Sequence, residues 1–547
     1  MIAPKIRIVS GKEAREKLLA GVNKIADVVG SSLGPMGRNT ALEQFVPTGE
    51  LYAEAKVLHD GVSIAKAVDL PDFVEQVGAS LVRQASQKQV EETGDGTSVV
   101  QILAQAIIQE CMQLIEAGVN PMSLRKGLEE GTDLLVKELE KLAIPIKGLK
   151  DMEFVATVSA GDAEIGKLIA ETYQKVGKDG VITVEESKAP ERITVEIQEG
   201  MQIDKGFLSP YFMTNPERME AVLENAYFLI TDKSITNFTE LIPFLEEFVK
   251  LSKNLVVISP EIGGEAFPSF VQNKIQGKIF SLCIQAPSFG EDQKNILQDI
   301  ATLTDGKFLS KDAGFDLSKL TTDDLGFAES ITATKNASII VGGRGSKKEI
   351  ALRVASIKKA MEDADLSDFD KERMKARIGK LTNGVAVIRG GGQTEVEMKE
   401  RRERVLDSVG ATKAAMQGGI VPGGEIVYLH IRKALRPAVK DQPWKPMEMN
   451  QTEKVLFNAL YKPFQKLITN AGLSEVDMAL ALNGKGKDFG IDVTTGEVKD
   501  MIKAGIVDPS LVGINALKNA CSVAVSIITT DNVIVRDAED MARREVK

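Results

Sequence analysis

The stretch Glu92-Thr93-Gly94-Asp95-Gly96-Thr97-Ser98 holds residue types that could do chemistry. Two glycines let a backbone approach a ligand closely. Asp95 offers oxygen atoms of the kind that a hard cation such as Mg²⁺ accepts. Thr97 and Ser98 add hydroxyl donors. Apolar residues at helical spacing lie on both sides, with Val77, Leu81 and Val82 in 74–90 and Val100, Leu103, Ile107, Ile108 and Leu114 in 99–117. This spacing predicts two helices with the stretch between them. The free N–H groups and dipole at the start of the second helix would attract an anion. The combination suits a Mg-bound phosphate. Taken alone, the same residues also make an ordinary helix–helix turn.

Other loops carry similar residue types. Gly30-Ser31-Ser32-Leu33-Gly34-Pro35-Met36-Gly37-Arg38 follows a helical pattern over 12–31. Leu58-His59-Asp60-Gly61-Val62 reads as an Asp-Gly turn. Gly418 to Gly424 opens a helix, Phe489 to Gly496 resembles a hairpin, and Ile506-Val507-Asp508-Pro509 follows. Gly161 to Lys167 nearly matches a P-loop, but Leu168 stands where the motif needs a hydroxyl for magnesium, so it reads as a helix start. Asp407 falls in a charged helical pattern over 395–417 beside Arg401, Arg402 and Arg404, where an acid is ordinarily solvated. His59 and His430 are the two histidines, which excludes catalysis resting on several.

Bulk composition narrows the classes. The chain has 547 residues, 43% hydrophobic and 27% charged, enough for several domains. A net charge of −10 and a single tryptophan, Trp444, disfavour nucleic-acid binding. No uninterrupted apolar run of about 18 residues suggests a membrane span, and residues 1–7 lack a signal-peptide core. Cys111, Cys283 and Cys521 are sparse and odd in number, as in a reduced, cytoplasmic protein.

Helix-rich, glycine-looped sequence occupies both ends, and strand–helix alternation lies between them. Val181–Val184, Ile193–Ile197, Asn254–Ile258 and Ile279–Ile284 read as strands, the first after a Lys178-Asp179-Gly180 turn. Helices are expected over 122–142, 235–250, 264–275 and 395–417. Pro268 would interrupt the third, and Gly390-Gly391-Gly392 reads as a hinge. Either one domain is built from both termini around an insertion, or three domains follow in a row. No period of roughly 20–50 residues is evident, which disfavours a solenoid.

Several motifs occur in order: Ser32-Leu33-Gly34-Pro35, His59-Asp60-Gly61-Val62, Gly94-Asp95-Gly96-Thr97, Gly206-Phe207-Leu208-Ser209-Pro210-Tyr211-Phe212, Leu297-Gln298-Asp299-Ile300-Ala301-Thr302-Leu303-Thr304, Thr394 to Glu400, and Val421-Pro422-Gly423-Gly424. Over essentially its whole length the chain resembles the group I chaperonins, the GroEL/Hsp60 family. The resemblance implies a multidomain α and α/β fold. A helical equatorial ATPase domain would span 1–141 and 418–547. A small intermediate hinge domain would span 142–198 and 386–417, and an inserted α/β apical domain 199–385. It also implies a cytoplasmic homo-oligomer in seven-membered rings. Such rings bind non-native polypeptides and enclose them under a GroES/Hsp10-type co-chaperonin lid, driven by ATP with Mg²⁺ and K⁺.

Matching positions then acquire implied roles. Asp95 resembles the Mg²⁺ ligand, with Gly96, Thr97, Ser98, Val99 and His59 on the phosphates. Ser32, Leu33, Gly34 and Pro35 would line the nucleotide, and the Ser32 backbone would hold a monovalent cation. Gly424 and Asp508 resemble base and ribose contacts, and Asp492, Val493 and Thr494 fall where the family touches the base. Asp407 resembles the carboxylate that positions the attacking water, assisted by Asp60. Phe207, Tyr211, Phe212, Ile242, Leu245, Phe267 and Val271 match exposed apolar residues that capture polypeptide.

The chain departs from the family pattern in places. His59 stands where the family usually has a phosphate-facing lysine, Met36 replaces a common lysine, and Val99 occupies a position where a hydroxyl is frequent. Asp492 replaces a frequent asparagine. Gln272 enters the apical groove, Gln465 and Ser474 replace an inter-ring Arg–Glu pair, and residues 540–547 lack the Gly-Gly-Met tail. A ring-forming holdase or scaffold with weak ATPase, or a small-molecule ATP-dependent enzyme, would also be compatible with a phosphate loop. The second would need a polar acceptor pocket in place of an apolar groove.

Overall fold

A computed structural model of the chain describes residues 6–44, 54–58, 61–177, 180–186, 193–198, 200–216, 218–361, 368–382, 384–391, 395–435, 438–439, 442–446 and 449–536. The chain forms two compact units, Met1–Glu171 with Gly392–Lys547, and Thr172–Gly391. The first is built from both chain ends and the second is inserted in it. The expected 142–198 and 386–417 segments are divided between these units at 171/172 and 391/392.

The first unit is a helical assembly. Helices Gly11–Gly30, Phe73–Thr93, Thr97–Glu116, Pro121–Leu142 and Ser510–Ile528 supply its main apolar core, including Leu18, Ile25, Leu103, Ile107, Leu128 and Leu517. Asp72 caps the Phe73 helix by accepting from the amides of Val74 and Glu75. Two of these helices, Thr97–Glu116 and Ser510–Ile528, are long and apolar enough to cross a membrane, with mean hydropathy of 1.3 and 1.6. Scattered polar residues break each of them into shorter apolar runs. In the fold, 61% and 67% of these stretches are buried inside the unit, as expected of helices apolar on several faces at a core. The two ends of the chain pair as antiparallel strands, Ile6–Ser10 with Asn532–Arg536.

The second unit carries a mixed seven-stranded sheet. Its order is Gly200–Ile203, Ser338–Gly343, Gly326–Ala333, Ala221–Thr231, Asn254–Ser259, Phe280–Gln285, with Phe308–Leu309 added beside Ala221–Thr231. The last three strands of this path are parallel, and Asn254–Ser259 and Phe280–Gln285 are buried except at their ends, as their continuous apolar runs require. A separate three-stranded sheet pairs Val385–Gly390 with Val181–Glu186 and Thr194–Gln198.

Two helices of the second unit differ from expectation. The 235–250 pattern resolves into a 3₁₀ turn, Thr239–Leu241, and a helix, Ile242–Leu251. Pro243 explains the start, because proline is tolerated in a first helical turn and not inside a helix. Pro268 does not interrupt the helix Ala266–Ile275, since it also lies in the first turn. The near-P-loop is a helix start as read: Asp162 accepts from the amides of Glu164 and Ile165 ahead of the helix Ala163–Val176.

The Leu297–Thr304 motif is structural. Asp299 is 1% exposed, and its carboxylate accepts from Arg353 Nε at 2.7 Å and from Arg377 Nε and Nη2 at 2.7 and 3.0 Å. Removing one partner of a buried ion network leaves the others uncompensated. Asp299→Ala is expected to cost about 3–5 kcal/mol. Urea denaturation of the full chain, followed by fluorescence, would check this; an unchanged midpoint contradicts it.

Candidate functional site

The Gly94–Ser98 loop joins two helices through paired left-handed glycines. Gly94, at φ 74°, ends the Phe73 helix, and Gly96, at φ 87°, precedes Thr97. Such angles are strained for residues with a Cβ. Between them, Asp95 is fixed from both sides. Its Oδ1 accepts from the Gly96 amide at 2.6 Å and its Oδ2 from Ser159 Oγ at 3.0 Å. Its carbonyl accepts from Gln89 Nε2 and Thr93 Oγ1, each at 3.1 Å. Gln89 is fully buried and also donates to Val512 O at 3.1 Å, while Asn519 Nδ2 donates to Gln89 Oε1 at 3.0 Å. The loop is therefore pinned to the helix Ser510–Ile528 at the far end of the chain.

Other site loops converge here. Ser32 is buried, donates its hydroxyl to Val29 O at 2.8 Å, and lies 3.5 Å from Ser98 Oγ. A Cβ built on Gly61 would sit 2.7 Å from Ser98 Oγ and 2.9 Å from Thr97 Oγ1, so that segment touches the loop directly. Asn470 Nδ2 donates to the carbonyls of Gly30 and Leu33, both at 3.0 Å. Leu33 packs on a small core of Ile426, Phe464, Leu467, Ile468, Ile491 and Val493. This core places the Ser32–Gly34 turn, the Gly424 turn and the 489–500 hairpin together. Pro35 is exposed and Val99 is buried in the helix core. His59 and Asp60 lie outside the described residues, as do Lys178, Asp179, Gly392 and residues 540–547.

The helix Glu395–Gly418 reaches the loop through glycine. A Cβ on Gly410 would lie 2.7 Å from Gly94 Cα, and one on Gly94 would lie equally close to Gly410 Cα. The same helix is fastened to the helix Leu149–Ala160 by Ser408 Oγ donating to Ala156 O at 2.8 Å. Asp407 precedes Gly410 by three residues, a spacing that places both on one helix face. It is half-buried.

The second wall is acidic. Val421 pairs with Asp508 and Pro422 with Val507, and the Gly424 amide hydrogen-bonds the Asp508 carboxylate. Burial pushes Asp508 up to about 7, the charge of Asp95 adds to the rise, and the Gly424 amide opposes it. Glu425 is raised well above the carboxylate range by burial, then by Asp508 and Asp95. Asp492 behaves oppositely. Burial works to raise it, but Lys499 at 2.7 Å and the Thr494 hydroxyl and amide, at 2.6 and 3.0 Å, bring it down to about 2. Its carboxylate is thus engaged within its own hairpin, Val493 is buried, and Thr494 is exposed.

The donor set suits magnesium. Asp95 supplies carboxylate oxygens, and the Thr97 and Ser98 hydroxyls stand in the same loop. Among the described residues no group of three or more His, Cys, Asp or Glu is placed to hold a metal. One carboxylate completed by phosphate and water oxygens is how magnesium is commonly bound.

The expected polypeptide-capturing residues need correction. Phe207, Phe212 and Leu245 are 6%, 0% and 5% exposed and belong to the core of the second unit. They sit against the sheet, where Phe212 meets the Phe267 ring edge-on at 6.0 Å and Phe207 bridges Ile284. Tyr211 and Ile242 are exposed, while Phe267 and Val271 are half-buried.

The sequence reading missed Gln89, Ser159, Gly410, Glu425 and Asn470. A glycine inside a charged helix costs about 1 kcal/mol and calls for a packing reason, so Gly410 did carry a signal. The other four carried none.

The chain matches the model of the TCP-1/cpn60 chaperonin family over residues 25–538 and belongs to that family. Among solved structures it is similar to the chaperonin gp146 from bacteriophage EL 2 (Pseudomonas aeruginosa), crystallised in the presence of ATP-BeFx. The match covers 97% of this chain and 99% of that one at 22% identity, with TM-scores of 0.68 and 0.59 against two crystal forms. The fold is the chaperonin fold.

The loop contact gives a direct prediction. Gly410→Ala forces two backbones apart and should destabilise the first unit by about 1–3 kcal/mol. Chemical denaturation would measure the loss, and an unaltered midpoint would contradict the contact.

Proposed function

We propose that the chain is an ATP-driven chaperonin that binds non-native polypeptides and promotes their folding in a ring cavity. The observation that carries this reading is the convergence, in one unit, of the Gly94–Ser98 loop, the Ser32 turn, the Asp508 wall and the helix of Asp407. These are the parts that an ATP site needs, drawn from segments far apart in the chain.

Phosphoryl transfer to water depends mainly on positioning and charge neutralisation. The Thr97 amide and the Thr97 and Ser98 hydroxyls would receive the phosphates, with Gly96 allowing close backbone approach. Asp95 would hold Mg²⁺, which offsets the charge of the phosphate oxygens when bound. The Ser32 backbone would face K⁺. Asp508 and Gly424 would hold the ribose and base end. Asp407 would orient the attacking water and accept its proton, with Asp60 assisting. Family membership supports the remaining proposals: equatorial, intermediate and apical domains with the boundaries expected above, a cytoplasmic seven-membered ring, and a separate co-chaperonin lid.

Capture of unfolded chains would fall to Tyr211 and Ile242, with Phe267 and Val271 at the margin. Contiguous exposed apolar surface is what a promiscuous binder offers. The buried aromatics beneath would shape this surface. Lys274 adds to that support, as its ammonium donates to the carbonyls of Phe212 and Met213.

Two outcomes test the reading. Asp407→Ala should leave ATP affinity within about threefold and slow single-turnover hydrolysis by about 10²-fold or more. Hydrolysis near the wild-type rate removes Asp407 from the chemistry. Tyr211→Glu combined with Ile242→Glu should weaken capture of a denatured test protein about tenfold while ATP turnover is kept. Undiminished capture removes these residues from the binding surface.

A further inference from the structure

Arg432 follows the short helix Ile426–Ile431 in the first unit. Its guanidinium carbon lies 4.5 Å from the centre of the Phe457 ring and 5.0 Å from that of Tyr461. Packing on two aromatic faces orients the planar group and leaves its edge donors free. Among the described residues, no carboxylate pairs with this side chain and no acceptor takes a hydrogen bond from it. Arg432 is nevertheless half-buried. A partly desolvated charge without a partner is costly, and an arginine fork is shaped for a carboxylate or a phosphate.

The guanidinium lines an open cavity of about 190 Å³ with Glu110, Asn458, Tyr461 and Lys462. Lys462 donates to Gln465 Oε1 at 3.0 Å, a neutral partner, and pairs with no described acid. Glu110 Oε2 accepts from Asn458 Nδ2 at 3.1 Å, and no described residue donates to Oε1. Two cations thus face one carboxylate. Pockets for larger ligands measure roughly 300 Å³ or more, so this cavity suits a single oxyanion with a few waters. It lies apart from the Gly94–Ser98 loop, because Glu110 is near the other end of the helix Thr97–Glu116, about 20 Å along it.

Glu110 decides which oxyanion fits. A carboxylate is purely an acceptor, so it repels an anion without a proton and takes a hydrogen bond from one that keeps a proton. Inorganic phosphate keeps a proton at neutral pH and sulfate does not. We propose that this cavity binds inorganic phosphate, with Arg432 and Lys462 on its charged oxygens and Glu110 accepting from its P–OH. The site is separate from the nucleotide reading and does not depend on it.

The test uses the full chain without nucleotide. Calorimetric titration with sodium phosphate, and separately with sodium sulfate, is run on wild type, Arg432→Gln, Lys462→Gln and Glu110→Gln. These substitutions leave the Gly94–Ser98 loop untouched, so phosphate taken up there would persist in all of them. Wild type should bind phosphate with a Kd of about 1 mM or tighter. It should prefer phosphate to sulfate by about tenfold. Arg432→Gln should weaken phosphate binding about tenfold or more, and Lys462→Gln about threefold or more. Glu110→Gln should bring sulfate to within about threefold of phosphate. Circular dichroism reports whether each variant is folded, and Lys462→Gln carries the test if Arg432→Gln is not. The proposal is overturned if wild type takes up no phosphate at about 10 mM. It is equally overturned if either folded variant, Arg432→Gln or Lys462→Gln, binds phosphate as tightly as wild type, or if wild type binds sulfate as tightly as phosphate.

Discussion

The arrangement depends on a contact between two glycines. Gly94 and Gly410 approach so closely that neither position has room for a Cβ. Gly94 closes the helix before the loop, and Gly410 sits inside the long helix Glu395–Gly418 from much later in the chain. Their contact lets that helix lie directly on the loop. Asp407 lies about one turn before Gly410 on the same face of that helix. The buried Gln89 and Asn519 secure the loop from the other side. The loop is therefore held between segments that lie hundreds of residues apart.

The electrostatics of the site follow from that enclosure. Burial raises the cost of ionising both Asp508 and Glu425; the charge of Asp95 adds to it for both, and that of Asp508 adds to it for Glu425. An environment with several acids and few cations favours a ligand that brings its own cation and donors. Mg·ATP brings both. Asp492, a few residues from this wall, has its own lysine, stays ionised and serves its hairpin. Two acids of similar apparent promise thus have different roles, and the partner decides which.

Much of this was legible in the residues. The helices beside the loop, the buried parallel strands and the glycine turns follow from apolar spacing and from turn chemistry, and the order of motifs identified the family. The partition of apolar side chains was less legible. Phe207, Phe212 and Leu245 match surface positions by resemblance, yet they fill the core here. Sequence type does not separate a core phenylalanine from an exposed one; that depends on which face the sheet covers. The helix starts at Pro243 and Pro268 were misjudged because proline's effect depends on whether it stands in the first turn. Glu425 and Ser159 were silent because their importance lies in neighbours that meet only after folding.

The central claim is that one nucleotide site is assembled from the Gly94–Ser98 loop, the Gly423–Ile426 turn, the Asp508 strand and the helix of Asp407. Hydrogen–deuterium exchange of the full chain with and without Mg·ATP tests it most directly. Amide exchange should slow together in 94–99, 423–426, 506–509 and 405–411, with the second unit's sheet unchanged. Protection confined to one of these segments, or absent from all of them while ATP binds, would contradict it.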